Sequence, residues 1–525
     1  MSLSRRARKQ LIALGVIVAL VAVVGFGGNQ LRLARNAASA ERAYKLGTEA
    51  FERGDYQETL TQLNRYLPSN QDDADALYMH AKARLEVPQD GGAHYTTALN
   101  WARRAADGDP DSVAKRLLIL EIRVRSGRSS LPELLATVDS VLSLDPTRSD
   151  LRIFKADILR ASDRQTEALR ELRSIVSRDP SSIDALDRIT RLLTDQPAEY
   201  SQWINTLDQQ AADNPQAAAF DIARINARLR LIPANPRETG VSAIAATRAL
   251  TAYEILTESL LEKTVQTPGQ FRAALSIVDE VERAIRLTRP LTQRDAQATQ
   301  DRLEDISTRA VRFADRHTGF GSDSGEHRPA FVLAATEWFW TSDRVSDLSR
   351  IASDWRRVSA DQPTDAVPLA IESLITMTGA LPDDQLVPMP ETSPAPAGRL
   401  WIELASAARN LRQGELVSAA EALARANDQA TIVQGAHLFA PVASADRDIN
   451  LLVATTATPA LLILEAETAA AAGDTARAMS LWFDAARQRR VWDRPALQLL
   501  ETYRLRGNIA EAEQMSSEAM LRGAT

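Results

Sequence analysis

Four prolines, each behind an Asp or Asn, divide the first half of the chain at near-constant intervals. They are Asp109-Pro110, Asp145-Pro146, Asp179-Pro180 and Asn214-Pro215, separated by 36, 34 and 35 residues. Proline has no N–H to give a helix and drives the residue before it out of the α region, so each dipeptide ends one helix and passes the chain to the next. A stop at this period predicts a stack of helix pairs, an architecture that presents surfaces and rarely performs chemistry.

The residues between the stops support that reading. Counting back 24, 12, 8 and 5 positions from Pro180 gives Ala156, Ala168, Leu172 and Ile175, a stripe of small and apolar groups on two consecutive helices. The same offsets give Ala98, Ala102 and Ala105 before Pro110, and Ile122, Leu134, Val138 and Val141 before Pro146. Small residues let two helix axes approach, and larger ones fill the groove shared with the next pair, so each unit depends on its neighbours for a core.

These positions resemble the tetratricopeptide repeat, a helix–turn–helix unit with small residues at the crossing and a proline after its second helix. The N-terminal-most copy runs through Leu46-Gly47, the turn Gly54-Asp55-Tyr56, then Thr59, Leu63 and Tyr66, with Gln71 in place of the closing proline. The second carries Ala74, Tyr78 and Ala81, and its turn is lengthened by Val87-Pro88-Gln89-Asp90-Gly91-Gly92. The fifth has Arg191 and Trp203 where small residues are usual. Further copies are placed near the C-terminus by Gly473 and Gly507, 34 residues apart. Ala466, Ala478, Trp482 and Ala485 fit the first of these, and Leu500, Ala512, Ser516 and Ala519 fit the second. Another runs through Ala407, Gly414, Ala419, Leu423 and Ala426.

Residues 11–28 form eighteen positions without a charge, preceded by Arg5, Arg6, Arg8 and Lys9. At 1.5 Å per residue such a run just spans a hydrocarbon core of roughly 30 Å, and the leading cations favour a cytoplasmic N-terminus with the body exported. Arg32 and Arg35 on the far flank weaken the asymmetry without reversing it. Ala38-Ser39-Ala40 has the form of a cleavage site but stands well beyond the apolar run, so an uncleaved single-pass anchor in the cytoplasmic membrane is expected.

The sequence thus predicts an all-α protein, a right-handed α-solenoid of tetratricopeptide-like repeats preceded by one transmembrane helix. Its expected divisions are a basic N-terminus (1–10), the transmembrane helix (11–28), a juxtamembrane helix (29–40), a repeat array (41–215), degenerate helical repeats (216–380), a proline-rich linker (381–398) and C-terminal repeats (399–525). In the central part, Ala246, Leu250, Tyr253 and Leu256, and then Ala274, Val278, Val281 and Ile285, have the spacing of buried helix faces. Breakers are few there, so longer helices are expected. The segment LPDDQLVPMPETSPAPAG at 381–398 has the composition of an extended connector.

Composition narrows the function. The chain has no cysteine, which excludes disulfides and thiolate metal ligands. With the four N-terminal cations set aside, 58 basic and 69 acidic residues remain, a net of −11 that argues against nucleic-acid binding. The five histidines, His80, His94, His317, His327 and His437, form no helical metal pair, although His317 and His327 flank one glycine-rich loop. That loop, Gly319 to Gly325, has neither the lysine of a phosphate loop nor the serine of a nucleophile elbow. No catalytic residue, cofactor or metal is expected.

The resemblance implies that ligands lie in a groove lined by the first helices of the pairs, through Tyr44 and Thr48, Tyr78 and Lys82, Ile119 and Arg123, Ile153 and Asp157, and Arg188. Lys82, Arg123 and Arg188 would make that wall favour acidic segments of protein partners. A membrane-anchored scaffold for protein–protein interaction in an envelope complex is the expected function. Trp338, Trp340, Trp355, Trp401, Trp482 and Trp492 are expected to fill irregular interfaces between degenerate repeats. A carbohydrate-handling factor using them as a platform, or a noncatalytic subunit of an enzyme complex, are the alternatives.

Overall fold

The computed structural model describes residues 38–232, 243–287 except 266, 293–318, 328–341, 366–378, 396–439, 445–488 and 493–522, with isolated positions at 347, 348, 350, 351 and 354. Every regular element among them is helical. The chain divides into two compact units, residues 1–151 and 152–525. That boundary falls inside the segment 41–215 that the proline spacing marks as one array. The apolar segment 11–28 and the basic residues before it lie outside the described residues. Among those described, no helix is long and apolar enough to cross a membrane.

Unit 1 contains α1 (38–52), α2 (Tyr56–Tyr66), α3 (Ala74–Glu86), α4 (Ala93–Gly108), α5 (Val113–Ser126) and α6 (Leu131–Leu144). The next helix, α7 (Ser149–Ala161), straddles the boundary. Unit 2 continues with α8 (Gln165–Arg178), α9 (Ile183–Leu193), α10 (Pro197–Asp213) and α11 (Ala218–Leu229).

The proline stops act as the sequence predicts. Asp109, Asp145, Asp179 and Asn214 each cap a helix C-terminus with φ between −142° and −127° and ψ between 65° and 87°, outside the helical region. Each next helix begins three residues after its proline, at Val113, Ser149, Ile183 and Ala218. The carboxylates smooth the handover: Asp145 Oδ1 accepts from the Thr147 N–H at 3.1 Å, and Asp179 Oδ1 from the Ser181 N–H at 3.0 Å. Helix starts are secured by Asp55, Asp73 and Ser112, whose side chains accept first-turn N–H groups.

The turns between paired helices use another device. Gly54, Gly414, Gly473 and Gly507 all have φ between 74° and 82°. At Gly473 the glycine N–H reaches Ala470 O at 3.0 Å and the next N–H reaches Ala469 O at 2.9 Å, the paired bonds of a Schellman stop. Asp163, φ 59°, makes the same stop without being glycine: its N–H reaches Arg160 O at 3.1 Å and the next N–H, of Arg164, reaches Leu159 O at 2.9 Å.

The seams are buried where the spacing puts them. Ala98, Ala102, Ala105, Val138 and Val141 are fully buried in unit 1, with Ile122 beside them and Leu134 half-buried. Ala156, Ala168, Leu172 and Ile175 do the same in unit 2. The lengthened second turn is a short 3-10 turn, Asp90–Gly92, in which Gly91 and Gly92 take positive φ. In the fifth pair, Arg191 points outward, and Trp203 is half-buried with its Nε1 donating to Thr190 Oγ1 at 2.9 Å.

The centre of unit 2 has longer helices, α12 (Ala243–Glu258), α13 (Pro268–Leu287) and α14 (Gln293–Thr318), followed by α15 (Arg328–Thr341) and α16 (Ala366–Thr378). Ala274, Val278, Val281 and Ile285 are buried as predicted. On α12 Leu256 is buried as predicted, but the rest of the buried stripe is Ala245, Ala249 and Ala252, one residue before the predicted Ala246, Leu250 and Tyr253, which are half-buried. Its Tyr253 is drawn instead to the edge, where its hydroxyl donates to Asp305 at 2.9 Å. Phe271, Phe313 and Phe331 surround His317 at the middle of this core.

Three hairpins close unit 2: α17 (Pro396–Arg412) with α18 (Leu416–Phe439), α19 (Ala445–Ala471) with α20 (Thr475–Gln488), and α21 (Asp493–Leu505) with α22 (Ile509–Arg522). Ala407, Ala419, Leu423, Ala426, Ala466, Ala478, Trp482 and Ala485 are buried as predicted. In the last hairpin the seam takes Leu499, and Leu500 is half-buried. The predicted connector ends earlier than its composition suggests. Pro396 is the first helical residue of α17, a position where a missing N–H costs nothing, and 381–395 lie outside the described residues.

Candidate partner-binding surface

Six of the predicted groove residues lie in unit 1 and three in unit 2. In unit 1, Lys82 sits eight residues past the start of α3, and Glu121 sits eight residues past the start of α5. Their Nζ and Oε1 atoms meet at 2.7 Å. One turn further along, Glu86 and Arg125 meet at 2.7 Å, and the square is closed by Lys82–Glu86 and Arg125–Glu121, both at 3.2 Å. Successive first helices are therefore joined by a four-membered, charge-neutral rung.

The environment fixes the protonation of this rung. Burial works against the Lys82 charge, but Glu121 and Glu86 outweigh it and raise its pKa. Burial likewise opposes ionisation of Glu86, yet hydrogen bonds and charge from Arg125 and Lys82 hold its carboxyl below the ordinary range. Tyr56 and Tyr78 stand beside it, and burial raises both phenols.

Tyr44 and Thr48 serve packing. The Tyr44 ring lies 4.8 Å from that of Tyr66, whose hydroxyl donates to Asp73 at 2.7 Å, and Thr48 returns its hydroxyl to Tyr44 O at 3.1 Å. Tyr78 is half-buried against the cores on both sides of α3.

Ile119 and Arg123 do not join Lys82. They lie on the opposite face of α5, where with Arg103, Arg116, Glu133 and Ser140 they line a recess of about 310 Å³. The reason is a shift in register. α6 starts 18 residues after the start of α5, whereas α8 starts 16 after the start of α7. Counting back from Pro146 therefore lands two residues late, and two residues on a helix are a rotation of about 200°. The residues that face α3 are Glu121 and Arg125, which counting from the Ser112 cap would have found.

In unit 2, Asp157 again sits eight residues into its helix, α7, and accepts from Arg188 Nε on α9 at 3.1 Å. Arg188 also pairs with Asp184 at 3.5 Å. Ile153 is half-buried one turn before Asp157. The predicted positive wall is thus corrected: Lys82 and Arg188 are each neutralised by two carboxylates, and the electrostatic signal belongs to the rungs.

The other candidate chemistries fare as follows. His317 is buried, its Nδ1 2.8 Å from Phe313 O and its Nε2 accepting from the Val265 N–H at 3.0 Å, so both nitrogens are occupied by backbone. His327 lies outside the described residues. Among the described residues, no group of three or more His, Cys, Asp or Glu could hold a metal ion. Trp338, Trp340, Trp401 and Trp482 are all in the core, as the reading of them as interface fillers expects, so they form no exposed platform, and Trp338 donates to Asp279 at 2.7 Å. Trp355 and Trp492 lie outside the described residues.

No family model matches the chain, and no curated protein matches it. Among solved structures it is similar to the Naa15/Naa10 complex bound to HypK-THB, at 11% identity and TM-score 0.37, covering 93% of this chain and 94% of that one. A tetratricopeptide repeat protein from Parabacteroides merdae covers 51% of this chain and 99% of its own, at 10% identity and TM-score 0.30. The MamA protein covers 39% and 98%, at 10% identity and TM-score 0.27. At this similarity, functional reading rests on the chain's own geometry.

Proposed function

We propose that the chain is a membrane-anchored, tetratricopeptide-like scaffold that binds other proteins. Residues 11–28 hold it in the cytoplasmic membrane, residues 1–10 remain on the cytoplasmic side, and the helical body is exported to organise an envelope complex. The basic cluster ahead of an uncharged run supports the anchor and its orientation.

The observation that carries the scaffold reading is the repeated rung. Lys82 and Glu121, each eight positions into α3 and α5, are tied to one another, and Asp157, eight positions into α7, is tied to Arg188 of α9, with Lys82 and Asp157 still in reach of solvent. Such a surface is ordered, polar and recurrent, which is what a partner needs in order to be read along several repeats.

The test is affinity purification of the full chain from solubilised membranes, with reporters fused after Thr525. A reporter active only outside the cytoplasm gives signal, and defined proteins copurify in stoichiometric amounts. Signal from a cytoplasm-only reporter overturns the topology, and a chain recovered alone at low salt overturns the scaffold.

A further inference from the structure

The recess on the far face of α5 is unlike the rungs because its cations are not matched. Arg103 on α4, with Arg116 and Arg123 on α5, line it together with a single carboxylate, Glu133 of α6. Glu133 is already spent locally: its Oε2 accepts from the Ser130 N–H at 3.0 Å and from the Ser130 hydroxyl at 3.1 Å, fixing the start of α6. Its Oε1 stays 3.6 Å from Arg123 Nη1, beyond a hydrogen bond.

Arg123 is left short of acceptors. Its Nε and Nη1 are shut away from solvent and neither has a hydrogen-bond partner. Buried donors are paired in nearly all folded proteins, so an unpaired pair on a guanidinium marks a place where an acceptor belongs. The hydroxyls of the recess do not reach it: Thr137 donates to Glu133 O at 2.7 Å, and Ser140 accepts from Arg116. Arg116 also gives its Nε to Pro110 O at 3.0 Å, a neutral acceptor that leaves its charge uncompensated.

From this we infer that the recess between α4, α5 and α6 receives an aspartate or glutamate side chain from a partner protein, held by Arg123 and drawn in by Arg103 and Arg116. Ile119 and Ala136 give the methylenes of such a side chain an apolar wall. The volume, about 310 Å³, is at the small end for ligand sites and suits a side chain more than a free metabolite. This names the partner chemistry within the scaffold reading and rests on it. It moves the acidic-partner contact from the first-helix groove, where cations are neutralised, to the opposite face.

The experiment uses the purified full chain in detergent and a fluorescein-labelled hexaglutamate peptide, followed by anisotropy at about 0.05 M salt, with hexaglutamine as control. Hexaglutamate binds and hexaglutamine does not. Arg123→Gln weakens binding about ten-fold or more, as loss of a charge-assisted bond does. Arg65→Gln, an exposed cation on α2 away from the recess, leaves binding unchanged, and raising salt to about 0.5 M weakens it. Arg103→Gln, an exposed substitution that keeps the fold, weakens it several-fold and decides the matter if the Arg123 variant does not fold. Equal binding by wild type and both arginine variants overturns the inference, as does failure of the wild type to bind hexaglutamate. If protein partners copurify with the wild type while hexaglutamate does not bind, only the recess assignment falls. If neither occurs, the scaffold reading falls with it.

Discussion

Replacing Lys82 by Met tests whether the rung between α3 and α5 behaves as one unit. In the wild type two cations and two carboxylates close a square with sides of 2.7 and 3.2 Å, and the side chains of Lys82, Glu86, Glu121 and Arg125 are 24%, 13%, 6% and 16% exposed. Lys82→Met leaves two carboxylates sharing one guanidinium, with Glu121 almost fully out of water. Removing one partner of a buried pair costs about 3–5 kcal/mol. Here Arg125 remains to compensate and Lys82 keeps some solvent, so about 2–3 kcal/mol is the working value. Adding Glu121→Gln restores neutrality around the surviving Glu86–Arg125 pair and should recover most of the loss, a coupling of about 2 kcal/mol. Hydrogen exchange read by mass spectrometry over 74–86 and 113–126 in the full chain reports local opening without requiring two-state unfolding. The single variant should exchange about 30- to 150-fold faster, at 1.4 kcal/mol per ten-fold, and the double variant within several-fold of wild type. A single variant as slow as wild type, or a double as fast as the single, refutes the coupled square.

The turn stops give a pair of opposite signs. Gly473→Ala should destabilise α19 and α20 by about 1 kcal/mol, because an added Cβ meets nothing within 4 Å and the cost is the left-handed backbone alone. Asp163→Gly should stabilise α7 and α8 by about 0.5 kcal/mol, since it relieves φ 59° while adding freedom to the unfolded chain; both are read by exchange of the flanking helices. Burial, aided by Arg84, lowers the His80 pKa from 6.5 to about 4. The unfolded state therefore binds the proton first, and stability present above pH 6.5 drains away as pH falls toward 4, by about 3 kcal/mol. His80→Gln should flatten that window, measured by thermal melts across it. Glu86, held low in the fold, adds a second loss as pH falls below its ordinary value of 4.5.

Much of the local structure was legible because proline and glycine act through their own backbone chemistry. Pro110, Pro146, Pro180 and Pro215 end helices in any context, and Gly473 and Gly507 mark turns because few other residues reach φ near 80°. The seam alanines followed, since they count from those stops over one helix. The surface was harder to read for the same reason in reverse. The repeat's fixed pattern implies Arg123 for the groove, but its hairpin is two residues longer than the next, which turns it about half a helical turn away. Charge alone also misled: Lys82 and Arg188 look like free cations in the sequence, and their carboxylates come from residues 39 and 31 positions away or within their own helix. Trp338, Trp340, Trp401 and Trp482 follow the expectation that large rings fill the irregular gaps between degenerate repeats.

The two units ask different things of a chain that is still being made. In unit 1 the side-chain links between helices, such as Lys82 to Glu121 and Asp75 to Lys115, reach across 39 and 40 residues. Each helix pair can therefore lock onto its predecessor as soon as one more hairpin has been synthesised, with little loop entropy to overcome. In unit 2, Arg272 waits for Glu337, 65 residues on, and Asp279 for Trp338, 59 residues on. The Phe271–Phe313–Phe331 core stays open over that interval, so the middle of the chain is where a slow ribosome or a holding chaperone has most to gain.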